Sequence, residues 1–104
     1  MKKVTEQTVQ AFFTGRNKTV GNTTVSVVDG ETTLSLHGNI IALKSADGVV
    51  KINNKGYTTQ TTKERLNGIL SHLNNSYIQQ KKGKWYLVED GKLTEFPYDE
   101  WVTI

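Results

Sequence analysis

Lysines and aromatic residues stand side by side in the segment QQKKGKWYL. Lys81, Lys82 and Lys84 are followed directly by Trp85 and Tyr86. Lysine ammonium groups neutralise phosphates and release their counterions, and a flat aromatic ring stacks on an unpaired base. The segment therefore predicts a nucleic-acid surface. A structural interpretation competes with it, because lysine is common at a solvated hairpin tip and one of the two rings must face the core of an alternating strand.

A second candidate is the segment GYTTQTTKERLNGIL, in which threonines precede a Lys-Glu-Arg triplet. Thr61 and Glu64 have the spacing of a capping box, in which each side chain bonds the backbone amide of the other at a helix start. Lys63 and Arg65 would then lie on the first turn, where free amides favour a phosphate. Tyr57 adds a ring just before that turn. The predicted nucleic-acid-binding residues are Tyr57, Lys63, Arg65, Lys81, Lys82, Lys84 and Trp85.

The C-terminal segment EFPYDEWVTI places three aromatic residues, Phe96, Tyr98 and Trp101, among acidic ones. Two interpretations stay open. The rings either close the bottom of the core or form a strip for a protein partner, since Tyr and Trp are preferred interface anchors.

Groups for catalysis are few in this sequence. The chain has no cysteine, and its two histidines, His37 and His72, lack the spacing of a metal motif. Half of the acidic residues follow residue 88, but they lie in a turn and an exposed-looking tail rather than in a predicted cleft. Phosphate-binding glycine loops and nucleophile elbows are also missing from the sequence. We therefore predict a protein without enzymatic activity, metal or cofactor.

Length and composition indicate one small domain. The 104 residues suffice for a single modest core, so we predict one domain over residues 1–104. The formal net charge of +3 permits a polyanionic partner without requiring one. The absence of cysteine fits a reducing compartment, and polar residues interrupt the N-terminus before any signal-like apolar stretch forms. We predict a cytoplasmic protein with no membrane association.

Periodicity predicts the elements that must position these residues. Val9, Phe12 and Phe13 have helical spacing, with Thr5 as the predicted cap and Gly15 as the C-terminal stop. Alternation with a period of two then begins at residue 23, and Asp-Gly at residues 29–30 predicts a type I′ hairpin turn. Gly38-Asn39 and Asp47-Gly48 separate two further strands, which completes a four-strand meander.

After Gly56 the helical period returns, with Leu66, Ile69, Leu70 and Leu73 on one face of the main helix. A second hairpin follows around Lys82-Gly83, and the segment KLTEF adds a strand after Asp90-Gly91. The predicted fold class is α+β. A small antiparallel sheet, formed by the meander and the C-terminal hairpin, carries the main amphipathic helix on one face and a short N-terminal helix.

The segments GNTTVSV, TLSLHGNIIA, GYTTQTTKERLNGIL and IQQKKGKWYL together resemble a family of small, uncharacterised tailed-bacteriophage proteins. Its pattern is N-T-x-V, L-x-L-H-G-N-x-I-A, T-T-K-E-R-L-N and a basic-aromatic strand. The resemblance covers roughly residues 20–87 and leaves the N-terminal helix and the acidic tail outside it. It implies a phage accessory protein in host bacterial cytoplasm. Two functions follow as expectations. The protein either binds nucleic acid, or acts as an inhibitor or adaptor on a host enzyme or defence complex.

Overall fold

The computed structural model describes residues 2–104 as two helices and nine strands. The helices are α1 (Lys3–Thr14) and α2 (Gln60–Leu73). The strands are β1 (Lys18–Val20), β2 (Thr23–Val28), β3 (Glu31–Leu36), β4 (Asn39–Lys44), β5 (Val50–Ile52), β6 (Tyr77–Lys81), β7 (Lys84–Glu89), β8 (Lys92–Glu95) and β9 (Val102–Thr103).

All strand pairs are antiparallel, and they form two sheets. The first has six strands in the order β1-β2-β3-β4-β5-β9, and the second has three in the order β6-β7-β8. The predicted α+β class, the meander and the C-terminal hairpin are confirmed, but the hairpin belongs to a second sheet and does not extend the sheet of the meander as predicted. Strands β1 and β9 at the two edges of the larger sheet were not predicted, because segments of three and two residues are too short to show an alternation.

Type I′ geometry recurs at the hairpin turns. Asp29 and Gly30 both have positive φ, at 52° and 80°, as the sequence predicted for β2–β3. Lys82 and Gly83 repeat this geometry between β6 and β7, with φ of 51° and 80°. The β3–β4 turn lies one residue earlier than predicted. His37 and Gly38 occupy it, and Asn39 already pairs with Leu36.

One face of the larger sheet is buried. A row of apolar residues, Val25, Leu34, Ala42 and Ile52, runs across β2 to β5 in direct register. The register shifts opposite Leu34, so that Ile41 is inserted into β4 and is buried next to Ala42. The bulge thus places two consecutive residues of β4, Ile41 and Ala42, in the core, whereas a regular strand would bury only every second residue.

Helix α1 packs on β1, β2 and β3, and α2 lies beside it and contacts β6. Val9 and Phe12 are buried, and Gly15 ends α1 in the left-handed conformation at φ 70°, both as predicted. Thr5 is not the cap. The N-cap is Lys2, three residues earlier: the Glu6 amide bonds the Lys2 carbonyl, and Thr5 is fully buried inside the first turns.

The main helix also begins earlier than the capping-box prediction placed it. Thr59, not Thr61, is the N-cap: its hydroxyl accepts the Thr62 amide at 3.2 Å. The predicted apolar stripe is confirmed at Leu66, Ile69 and Leu70, each with no exposed surface. The last member of the stripe, Leu73, is 39% exposed at the end of the helix.

The C-terminal tail takes part in the fold. β9 pairs with β5, and the Ile104 amide donates to the Val50 carbonyl at 2.9 Å. Phe96 is buried in the same core as both helices and both sheets, and Val102 and Ile104 pack against that core. Regular pairing of β8 ends at Glu95, just before Phe96 and the single proline, Pro97.

Candidate nucleic-acid interface

The smaller sheet has an inner face against the core and an outer face toward solvent. Strand register places Ile78, Trp85 and Leu87 inward, where all three are buried. The opposite side, which we call the outer face, consists of Tyr77, Gln79, Lys81, Lys84, Tyr86, Val88, Leu93 and Glu95.

The outer face changes from apolar to basic along the strands. Tyr77, Val88 and Leu93 form one cross-strand row, in which Tyr77 and Leu93 are each 48% exposed and Val88 between them is buried. In the next row Tyr86 lies between Gln79 and Glu95, half-buried. The outer face is therefore an open sheet surface with two tyrosines on it.

The last row of the outer face pairs two lysines directly, Lys81 on β6 and Lys84 on β7. Like charges in directly opposite positions destabilise a sheet. The nearest carboxylate is Glu95, whose oxygen is 4.0 Å from Lys84 Nζ, and both side chains are 66% exposed. Such an exposed pair contributes little. Stability alone therefore does not account for this lysine pair.

Trp85 lies on the other side of the sheet from Lys84 and is only 4% exposed. Its ring packs near Phe96, with centroids 6.1 Å apart. Trp85 therefore presents no ring to a base, and the prediction that it stacks on nucleic acid does not fit its position. Tyr86 occupies the accessible position next to the lysines instead.

Lys63 reaches the hairpin from the helix side. Its Nζ donates to Gln80 Oε1 at 3.3 Å, and Gln80 pairs with the inward-facing Trp85. Lys82 stands at the exposed tip between the two strands. The fold thus brings all four predicted phosphate-binding lysines to one end of the molecule, on both sides of the hairpin.

Arg65 does not join these lysines. It is 4% exposed, and its guanidinium donates to Thr23 Oγ1 at 3.0 Å, to Thr5 Oγ1 at 2.8 Å and to Glu64 Oε1 at 2.6 Å. Asn22 Oδ1 accepts a further bond at 3.4 Å. The predicted phosphate role of Arg65 therefore does not fit the structure, since its donors are directed at α1 and the start of β2.

Glu64 belongs to this buried network and not to a helix cap. Its carboxylate accepts from the Thr5 hydroxyl and from Arg65, and the Lys2 amide lies at 3.3 Å. Partial burial acts to raise the pKa of Glu64, but the Thr5 and Lys2 hydrogen bonds and the Arg65 charge together hold it below its ordinary value. Glu64 is thus kept as the anion that the buried guanidinium needs.

Tyr57 is 49% exposed and borders a cavity of about 400 Å³ beside the start of α2. The other lining residues are Leu36, His37, Asn39, Ile41, Thr59, Thr61 and Thr62. Tyr57 is therefore accessible, as predicted. The residues that line its cavity do not include the hairpin lysine Lys84.

A smaller cavity of about 140 Å³ lies against the hairpin, and we call it the hairpin cavity. Its lining residues are Asn54, Thr58, Gly83, Lys84, Trp85, Glu95, Phe96 and Tyr98. Tyr98 is 68% exposed at its rim, whereas Phe96 is buried. The basic hairpin and the aromatic tail, which the sequence suggested as separate sites, meet here.

Trp101 completes the description of the tail. It is 40% exposed, and Lys55 Nζ lies 5.0 Å from the centroid of its ring. The two interpretations of the tail thus divide by residue. Phe96 closes the core, while Tyr98 and Trp101 remain on the surface.

A protein-family model, Kyanoviridae Gp96 protein, matches residues 1–103. The chain belongs to the Kyanoviridae Gp96 protein family. The Gp96 match supports the expected phage origin, and it extends through the N-terminal helix and the tail, beyond the range of the resemblance noted from the sequence. No curated protein and no solved structure matches this chain. Within residues 2–104, neither helix is long and apolar enough to cross a membrane.

Each of the two histidines lies beside another side chain. His72 stacks on Phe13, with ring centroids 4.0 Å apart and planes at 11°. His37 lies in the β3–β4 turn, where its Nε2 is 3.4 Å from Asn22 Nδ2.

Sequence reasoning missed Tyr77 as an accessible ring of the smaller sheet, and it offered Tyr86 only as an alternative to Trp85. A signal for Tyr86 was present: counting outward from the Lys82-Gly83 turn places Tyr86 on the same face as Lys84, two residues away. Asn54 and Thr58 were missed for another reason, since only tertiary folding brings their loop to the hairpin cavity.

Proposed function

We propose that this phage protein is a non-enzymatic nucleic-acid-binding module acting in the host cytoplasm, and that it binds through the outer face and the β6–β7 tip. The observation that carries this proposal is the directly opposed pair Lys81 and Lys84, with Tyr86 on the same face. The fold keeps two like charges together beside an accessible ring, an arrangement that suits a phosphate chain.

A single strand is the form of nucleic acid that we favour. Stacking on a protein ring requires unpaired bases, and open sheet faces carrying aromatic side chains are used in this way. Tyr77 and Tyr86 lie in neighbouring rows of the outer face. A strand running across these rows would place bases on the tyrosines and phosphates near the lysines.

Salt dependence provides the test. We would measure the binding of fluorescent dT and rU oligonucleotides, and of a duplex, by anisotropy over a range of salt concentrations. Triple replacement of Lys81, Lys82 and Lys84 by Ala should reduce the slope of log K against log salt by about 2, since each single-strand contact contributes about 0.7. Tyr86→Ala should weaken single-strand binding and leave the slope unchanged.

A matched control separates the site from net charge. Lys3, Lys18 and Lys51 are exposed and lie outside the hairpin, so their triple Ala variant loses the same charge. We expect this variant to keep most of the wild-type affinity. Equal losses in the two triple variants, or no wild-type binding at low salt, would reject the proposed interface.

A second candidate function is that of an inhibitor or adaptor of a host bacterial enzyme or defence complex. The exposure of Tyr98 and Trp101 favours it, together with the free edge of β1. Affinity capture from bacterial lysate with and without nuclease tests it. A stoichiometric protein that resists nuclease and is lost with the double variant Tyr98→Ala, Trp101→Ala would favour this function over nucleic-acid binding.

A further inference from the structure

We propose that the cavity beside the start of α2, which Tyr57 borders and which we call the Tyr57 cavity, binds a nucleobase. The ligand is the flat heterocycle itself, carried either by a free nucleoside or by a nucleotide of a strand. Among the described residues that line this cavity, none belongs to β6, β7 or β8. The site is therefore separate from the outer face and does not depend on the function proposed above.

Part of the wall of the Tyr57 cavity is apolar and buried. Leu36 and Ile41, which are 5% and 1% exposed, both line it. Ile41 is the residue that the bulge inserts into β4. Covering apolar atoms with an apolar ligand surface is favourable, and small-molecule sites are built mainly from such walls. This wall favours a ligand with a flat apolar face.

Tyr57 supplies an aromatic ring next to this wall. It lines the cavity and keeps 49% of its surface exposed, so its ring is not used up by packing in the core. A base stacks on an accessible aromatic ring whatever its sequence, since every base has a π-face. The ring and the apolar wall together favour a flat heterocycle.

The polar side chains of the cavity carry no formal charge. The described residues that line it include no Asp, Glu, Lys or Arg. A phosphate or carboxylate ligand would find neither a lysine nor an arginine among them to form a charge-assisted hydrogen bond. The lining therefore fits a neutral ligand.

His37 contributes a hydrogen-bond donor. The Asn22 carboxamide is oriented by its Oδ1, which accepts from Thr23 Oγ1 at 2.9 Å and from Arg65 at 3.4 Å. Its Nδ2 consequently lies 3.4 Å from His37 Nε2. Because a carboxamide nitrogen only donates, we assign Nε2 as the acceptor and place the proton of the neutral ring on Nδ1. Nδ1–H makes no hydrogen bond within residues 2–104 and is available to a ligand.

Asn39 and Thr61 add an acceptor and a hydroxyl. Asn39 Nδ2 donates to the His37 carbonyl at 3.5 Å, so Oδ1 is the atom left for a ligand. The Thr61 hydroxyl is not used by the helix cap, which Thr59 forms with Thr62. One donor, one acceptor and one hydroxyl that acts as either match the edge of a base, where donors and acceptors stand side by side.

The volume and the placement of polar groups favour a base over other small ligands. A cavity of about 400 Å³ is near the lower end of the range of about 300–1,000 Å³ for small-molecule sites. A sugar has hydroxyls around its whole ring, and those against Leu36 and Ile41 would be buried without partners, which is unfavourable. A base has apolar faces and a polar edge, so it suits both parts of the lining.

Nucleosides, which carry no phosphate, test this site apart from the lysines. We would titrate ¹⁵N-labelled protein with adenosine, guanosine, cytidine and thymidine and follow the backbone amide signals. At least one nucleoside should shift the amides of Asn39, Thr61 and Thr62. Ribose and glucose at the same concentrations should not.

Two variants probe the ring and the hydroxyl by calorimetry. Tyr57→Ala should weaken nucleoside binding about five- to a hundredfold, the usual contribution of one base stacked on an aromatic side chain, whereas Tyr57→Phe keeps the ring and most of the affinity. Thr61→Val removes the hydroxyl at nearly constant shape and should weaken binding about two- to tenfold. Tyr57 is half-exposed and Thr61 is not the cap, so we expect these variants to fold.

Tyr77 provides the matched control. It is 48% exposed, close to the value for Tyr57, but it lies on the outer face and does not line the Tyr57 cavity. Tyr77→Ala should weaken the binding of a strand and not that of a nucleoside. Tyr57→Ala should weaken the binding of a nucleoside.

A dT oligonucleotide compared with thymidine distinguishes the two sources of the base. If the oligonucleotide shifts the Thr61 and Thr62 amides and binds more weakly to Tyr57→Ala, the base belongs to a strand. If only free nucleosides shift these amides, the ligand is a free nucleoside. Both outcomes support the base site.

Three results would overturn the base site. These are no shift of the Thr61 and Thr62 amides by any nucleoside at millimolar concentration, an equal shift by glucose, or wild-type nucleoside affinity in both Tyr57→Ala and Thr61→Val. Since nucleosides carry no phosphate, such a failure leaves the salt-dependent binding of strands to the outer face intact. An oligonucleotide that does not bind at low salt, beside a nucleoside that does, rejects the outer face and leaves the base site standing.

Discussion

Arg65 Nε donates to Thr23 Oγ1 at 3.0 Å, across 42 residues of sequence. Thr23 in turn donates to Asn22 Oδ1 at 2.9 Å, and Arg65 Nη1 donates to Thr5 at 2.8 Å. One guanidinium therefore joins α2 to α1 and to the start of β2. A residue whose sequence context suggested a phosphate contact instead holds both helices to the larger sheet.

Replacing Arg65 with Ala should lower the free energy of unfolding by about 3–5 kcal/mol, the usual effect of leaving one partner of a buried ion pair unpaired. Urea denaturation would measure it. The other arginine, Arg16, is exposed, so Arg16→Ala serves as the matched control and should change stability by less than about 0.5 kcal/mol. Similar small effects of both variants would contradict the bridging role of Arg65.

Acid should weaken the fold through Glu64. Its pKa is lowered in the folded protein, so the anion is bound more tightly there than in the unfolded chain. This contribution is fully present above the unfolded value of about 4.3 and is lost as the pH falls through the lower folded value. Urea unfolding between about pH 3 and 6 should therefore show a shallower acid dependence in Glu64→Gln than in the wild type. Identical pH profiles would show that Glu64 is not the responsible group.

The two threonines at the start of α2 should behave differently. Thr59→Ala removes the hydroxyl that accepts the Thr62 amide and should cost about 1 kcal/mol of stability. Thr61→Ala removes no cap and should be nearly neutral. Thermal unfolding of both variants, with Thr59→Ser restoring the cap, decides the assignment. A larger loss for Thr61→Ala would return the cap to the position that the sequence suggested.

Neighbouring aromatic residues of the tail should also divide in their effect on stability. Phe96 is 5% exposed and packs in the core, so Phe96→Ala should cost about 3–5 kcal/mol. Tyr98 is mostly exposed, so Tyr98→Ala should stay within about 0.5 kcal/mol. Chemical denaturation would compare them directly. If Tyr98→Ala proved as destabilising as Phe96→Ala, Tyr98 would act as part of the core and would no longer support the second candidate function.

Elements governed by neighbouring residues were predicted well. Asp29-Gly30, Lys82-Gly83 and Asp90-Gly91 all mark turns with positive φ at both positions. This geometry depends on the turn residues themselves, so two letters suffice to indicate it. The apolar stripe of α2 was equally readable, because helical spacing alone puts Leu66, Ile69 and Leu70 on one face.

The sequence by itself determined the α+β class, the meander, the main helix and the concentration of lysines at one hairpin tip. Only the tertiary structure decided which residues remain accessible there. Alternation required one of Trp85 and Tyr86 to face the core, but the choice depended on contacts such as Trp85 with Phe96. Arg65 became a buried bridge for the same physical reason: its partners, Thr5 and Thr23, are distant in sequence, and local periodicity carries no information about them.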